Sequence, residues 1–111
     1  MNKNVVLGLC ASLLLAAPAA LRADAGASYA KYCASCHGKD GAGHTKAGRL
    51  VKVKDLSDAA YQKTFSDETA FKDLKDGLTD SDGKVRMKPL KDKLSDDEIK
   101  AVVAYVRTLA K

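Results

Sequence analysis

An all-α domain is what this 111-residue sequence predicts, and three observations predict it. Ser95 and Glu98 form a capping-box pattern, with Leu94 and Ile99 placed as a hydrophobic staple, at the start of the last segment. From there Ile99, Val102, Val103, Val106 and Leu109 recur at helical spacing along one face, with Tyr105 beside them. No alternating strand pattern of convincing length occurs anywhere.

Taken in order, residues 1–23 read as an export signal. Lys3 gives a positive start, residues 5–20 are apolar, and alanine-rich sequence follows. Cleavage is expected after Ala23, with Ala25 as the alternative end. The rival is an uncleaved anchor, because the apolar stretch approaches the ~20 residues that span a bilayer. Pro18, the run of alanines and the single basic residue ahead of the stretch weigh against it. Cys10 leaves with the signal, and residues 24–111 form one domain on the oxidising side of the membrane, the periplasm.

The spacing predicts a first helix over residues 25–33, with Tyr29 one turn before Cys33. Gly38, Gly41, Gly43 and Gly48 then punctuate a loop that completes no phosphate-binding pattern. Ser57 is placed to cap a short helix through Ala60 and Tyr61. Ser66 is placed to cap the next, with Asp67 and Glu68 in its first turn. Ala70, Phe71 and Leu74 face one way on it, and Gly77 stops it. Residues 78–90 read as a second loop. Within it Asp80-Ser81-Asp82-Gly83 reads as a turn, since a calcium loop needs its glycine elsewhere and a closing Glu.

The chemistry lies in Cys33-Ala34-Ser35-Cys36-His37. Two thiols on one turn reach two vinyl groups of one porphyrin, and the adjacent His37 offers a ring nitrogen to its iron. Such a cofactor brings a one-electron couple that polypeptide lacks. Two other readings compete. A thiol redox motif wants a preceding strand and a βαβ pattern. A closed zinc site wants two more ligands, and only Cys10 and His44 remain. The domain falls below ninety residues, carries no Trp and two Phe, and is marginal for a self-sufficient core. A covalent haem fills that deficit.

The formal charge of +5 is spread as lysines among acidic residues, without aromatic interleaving. That pattern argues against nucleic-acid binding and fits docking onto acidic protein partners. Iron held by one histidine leaves a sixth position. Met87, between Arg86 and Lys88 in the second loop, has few apolar neighbours that would make it core filler. It is the expected second ligand, with Pro89 stiffening its loop. His44, only seven residues past His37, is expected to be exposed or beside a propionate rather than on iron.

These residues resemble a small class I monohaem cytochrome c of the bacterial periplasmic type, over essentially all of residues 24–111. The marks are Tyr29, Cys33-Cys36-His37, Gly38-Lys39-Asp40-Gly41, Met87 ahead of Lys91-Asp92-Lys93-Leu94-Ser95, and Ala104-Tyr105-Val106-Arg107. The resemblance implies the cytochrome c fold, with about four short helices around one covalent haem c. It also implies first and last helices crossing at Ala25 or Gly26, Tyr29 and Tyr105. It implies a non-enzymatic monomer that shuttles single electrons between redox partner proteins. Two features depart from the family. No proline follows the haem motif before Pro89, so a carbonyl from residues 43–50 is expected to orient His37. Lys88 also separates Met87 from Pro89. The site residues are therefore Cys33, Cys36, His37 and Met87, with Lys39, Lys46, Lys88 and Lys91 as a docking rim. The competing functions are a haem peroxidase or gas sensor with a labile sixth ligand, and a dedicated subunit of one oxidoreductase.

Overall fold

Two helices cross at the centre of the fold. In the computed structural model, which describes residues 19–111, α1 spans Ala19–Tyr32 and the last helix, α6, spans Asp96–Thr108. Between them come the single-turn α2 (Ala34–His37), α3 (Lys46–Val51), the single-turn α4 (Ala59–Gln62) and α5 (Asp67–Asp76). A small antiparallel ribbon follows α5, made of β1 (Leu78–Thr79) and β2 (Val85–Met87). The first eighteen positions of the expected export segment lie outside the described residues, and its last five form the start of α1.

Small residues let α1 and α6 approach. Ala25, Tyr29, Ala101, Val102 and Val106 are buried together, and the Tyr29 and Tyr105 ring centroids are 5.2 Å apart. A Cβ on Gly26 would already touch the Tyr105 ring at 3.4 Å, so a side chain extending beyond Cβ on that side would crowd the crossing. The crossing expected at Ala25, Gly26, Tyr29 and Tyr105 is present.

Local capping explains where most helices begin. Ser95 accepts from the Glu98 amide while Glu98 accepts from the Ser95 amide, so the capping box is complete. Ser66 caps α5 through the Thr69 amide, and Gly77 closes it at φ +77°. The α4 cap is Asp58 rather than Ser57. The Asp58 carboxylate accepts from the Ala60 amide, while Ser57 turns back to Asp55. α3 lies partly within what reads as glycine loop. Its cap is Thr45, whose hydroxyl accepts from the Gly48 amide at 2.8 Å.

The loop over residues 78–90 holds the β1–β2 ribbon, too short to show as alternation. Leu78 pairs with Met87 and Thr79 with Val85, which leaves Arg86 as the extra residue of a β-bulge. The connecting Asp80–Gly83 turn confirms the expected turn, with Gly83 at φ +80°. The Asp80 carboxyl is held below its ordinary value, first by the Lys84 amide and also by Arg86. Beyond the ribbon the chain is tied back to α5, through Leu90 N donating to Leu74 O at 2.9 Å.

A second tie joins the middle of the chain to α6. Gln62 is buried, and its side-chain amide donates to Leu56 O at 2.7 Å and Val106 O at 2.8 Å. Arg107 donates to the Gln62 and Phe65 carbonyls and to Asp67 Oδ1, and stacks over the Phe65 ring at 4.4 Å. Every buried side-chain nitrogen and oxygen among the described residues has a partner.

Candidate functional site

α2 is one turn long, and its stability comes from outside itself. Its last two carbonyls and that of its C-cap, Gly38, each receive a donor from a different part of the chain. Thr45 Oγ1 donates to Cys36 O at 2.6 Å, the Gly43 amide donates to His37 O at 2.7 Å, and the Tyr29 hydroxyl donates to Gly38 O at 2.7 Å. A short helix with its terminal acceptors satisfied in this way is held rigidly despite its length. Gly48 is required here, because a Cβ would collide with the Cys36 carbonyl. Burial raises the Tyr29 pKa, with the neighbouring Cys33 and Tyr105 adding to it, so its hydroxyl stays a donor.

The frame delivers three reactive side chains to one cavity of about 950 Å³. Cys33, Cys36 and His37 line it, and so does Met87 from β2, fifty residues further along. Tyr29, Leu56, Phe65, Leu74, Leu90 and Val106 supply apolar walls. The volume is at the upper end of the ~300–1,000 Å³ typical of ligand and cofactor pockets. His44 is exposed and lies outside this lining, as expected.

His37 is oriented by a carbonyl, but not by one from residues 43–50. Its Nδ1 lies 3.3 Å from Lys54 O, beyond the end of α3. Lys52, at φ +53°, caps α3 in the left-handed region and turns the chain so that this carbonyl comes back over α2. With Nδ1 as the donor, Nε2 is left with a free lone pair. Burial lowers the His37 pKa below its ordinary value, against a smaller rise from the Lys54 carbonyl, which favours the neutral ring.

The competing readings of the cysteine pair fail on this geometry. A thiol oxidoreductase needs an attacking cysteine of lowered pKa. Here burial pushes the Cys33 thiol up to about 11, and among the described residues no strand precedes the motif. A zinc site needs a closed set of ligands, and no group of three or more His, Cys, Asp or Glu side chains gathers among the described residues. Two thiols, an imidazole with Nε2 free, a thioether and apolar walls suit a covalently held haem instead.

The charged side chains lining the cavity are mostly basic. Lys31, Lys52, Lys54, Arg86, Lys88 and Lys93 line it, against Asp73 as the acidic side chain. Of the rim expected from sequence, Lys88 lies there, whereas Lys39, Lys46 and Lys91 do not line it. The loop from α3 to α4 supplies Lys52 and Lys54 to the lining. Leu50 and Val85 add exposed apolar surface, 74% and 58% accessible.

Comparison with known proteins places this geometry in a familiar group. The sequence model of the Cytochrome c family matches residues 23–110. The chain is 34% identical over 106 residues to cytochrome c-553 of Nitratidesulfovibrio vulgaris (strain DSM 19637 / Miyazaki F), covering 95% of each protein. Among solved structures it is similar to the KustC0563 c-type cytochrome, with a TM-score of 0.66 and 32% identity over 78% of this chain and 98% of that one. A tyrosine mutant of that cytochrome gives the same TM-score at 31% identity, with the same coverage of both chains.

Proposed function

Because the chain belongs to the cytochrome c family, we propose that it is an exported single-electron carrier whose iron is held by His37 and Met87. One haem c is bound covalently through Cys33 and Cys36, the pair of the family's motif. Bound there, the haem supplies the one-electron couple that the side chains lack.

The observation that carries the reading is the shared cavity. His37 and Met87 are fifty positions apart, yet both line it, and no other methionine or histidine among the described residues does. His37 offers Nε2 while the Lys54 carbonyl holds its other nitrogen. Met87 offers a thioether, which favours the reduced metal relative to a second imidazole. With both positions taken, no site is left for peroxide or a diatomic gas. The apolar walls limit water, which keeps the cost of moving an electron low. The basic side chains along the cavity steer acidic redox partners toward it. Residues 1–23 direct export, and the protein acts in the periplasm as a monomer.

Substituting Met87→Ala tests this directly. The reduction potential is expected to fall by on the order of 0.1 V or more, within the range axial ligation spans, and the reduced protein should bind carbon monoxide. A variant with unchanged potential and no carbon monoxide binding would remove Met87 from the iron, and with it the carrier reading. No helix among the described residues is long and apolar enough to cross a membrane.

A further inference from the structure

The ribbon that carries Met87 has little to hold it except itself. All its residues but Asp80 and Met87 are exposed, and Leu78 and Val85 are among the largest exposed apolar side chains. Inside it, however, one carboxylate gathers the turn and the second strand. Asp80 Oδ1 accepts from the Asp82 amide at 2.9 Å and the Lys84 amide at 3.0 Å. Asp80 Oδ2 takes both Arg86 Nε and a terminal guanidinium nitrogen at 2.7 Å. The Asp80 side chain is 21% accessible, low for a surface loop.

Arg86 is the bulge residue, the extra position between the Leu78–Met87 and Thr79–Val85 pairs. A strand that loses its bulge slips by one residue, and a one-residue slip turns each side chain to the opposite face. Whatever fixes Arg86 therefore fixes which way Met87 points. From the other side, Gly77 allows close passage: a Cβ there would lie 2.5 Å from Met87 O.

We propose that Asp80 is a positioning residue for Met87, its paired grip on Arg86 locking the bulge that keeps the methionine sulfur on the cavity. The proposal rests on Met87 as the sixth ligand. Asp80 touches neither the cavity nor the sulfur, and it acts through Arg86 and the strand. The fork geometry matters as well as the charge, because a guanidinium offers two parallel donors to one carboxylate and a lysine does not.

The experiment compares wild type, Asp80→Ala, Arg86→Lys and the exchanged pair Asp80→Arg with Arg86→Asp, all as haem-loaded full-length protein. Three quantities are read in the oxidised state: the methionine-to-iron charge-transfer band, the affinity for added imidazole, and the thermal midpoint. Wild type should show the band. Asp80→Ala should lose much of it and bind imidazole about tenfold more tightly, as expected from losing charge-assisted hydrogen bonds. Arg86→Lys should fall between, the exchanged pair should recover part of the band, and the thermal midpoints should move little. A wild-type protein without the band overturns Met87 ligation and this inference together. A wild type with the band, beside an Asp80→Ala variant whose band and imidazole affinity are unchanged, overturns the positioning role alone. Loss of the band only in step with a collapsed thermal midpoint, with Arg86→Lys unchanged, assigns Asp80 to general stability and likewise overturns it.

Discussion

Single side chains set the chemistry, and they were unequally visible in the sequence. Cys33, Cys36 and His37 announce themselves because thiols and imidazole at that spacing have few other uses. Met87 stood out because a thioether between two cations has little to pack against. Lys54 gave no such signal. Its contribution is a backbone carbonyl, which every residue has, and only the left-handed turn at Lys52 brings it to His37. Tyr29 was legible as a helix-contact aromatic but not as the donor to Gly38 O. Tyr29→Phe keeps the ring against Tyr105 and leaves that carbonyl with the Gly41 amide alone, at 3.1 Å. The holoprotein should lose about 1–2 kcal/mol in denaturant unfolding, and an unchanged midpoint would show the bond to be dispensable.

Elements were legible where a cap and a stripe coincided. α6 carries a complete capping box and a five-residue apolar face, so its start was readable to the residue. α2 and α3 were not, because a one-turn helix has no periodicity and Thr45 caps α3 from within a glycine-rich run. The ribbon leaves no sequence signal for a related reason: strands of two and three residues show no alternation. The Ser57–Asp58 exchange at α4 reflects two adjacent capping side chains competing, settled when Ser57 bonds Asp55. Removing the α6 cap by Ser95→Ala should cost about 1 kcal/mol. Glu98 adds a pH signature. Its carboxyl is held below its ordinary value of 4.5, first by the Ser95 amide and then by the Ser95 hydroxyl. A depressed carboxylate binds fewer protons in the folded state, so its stabilisation is present above that value and fades as pH falls through the lower one. Denaturant midpoints measured down through that range should decline less steeply in Glu98→Gln than in wild type. Parallel declines would place the acid sensitivity elsewhere.

At the scale of the whole molecule, two facts pull against each other. The buried side chains are few, with Tyr29, Ile99 and Val102 the largest fully buried ones, yet the chain surrounds a cavity of about 950 Å³. The covalent cofactor is thus part of the core, a deficit the lack of Trp and scarcity of Phe already made readable. A Cys33→Ala, Cys36→Ala double variant, which cannot attach haem, should retain helix signal but lose cooperative thermal unfolding. A sharp transition at the wild-type temperature would show that the polypeptide core suffices alone. The crossing of α1 and α6, the ties through Gln62 and Arg107, and the frame around α2 together bring the two candidate ligands to one cavity from distant parts of the chain. Iron-edge X-ray absorption on the oxidised holoprotein addresses that convergence most directly. It should find one sulfur among otherwise nitrogen ligands, lost in Met87→Ala. A wild-type iron surrounded by nitrogen and oxygen alone would contradict it.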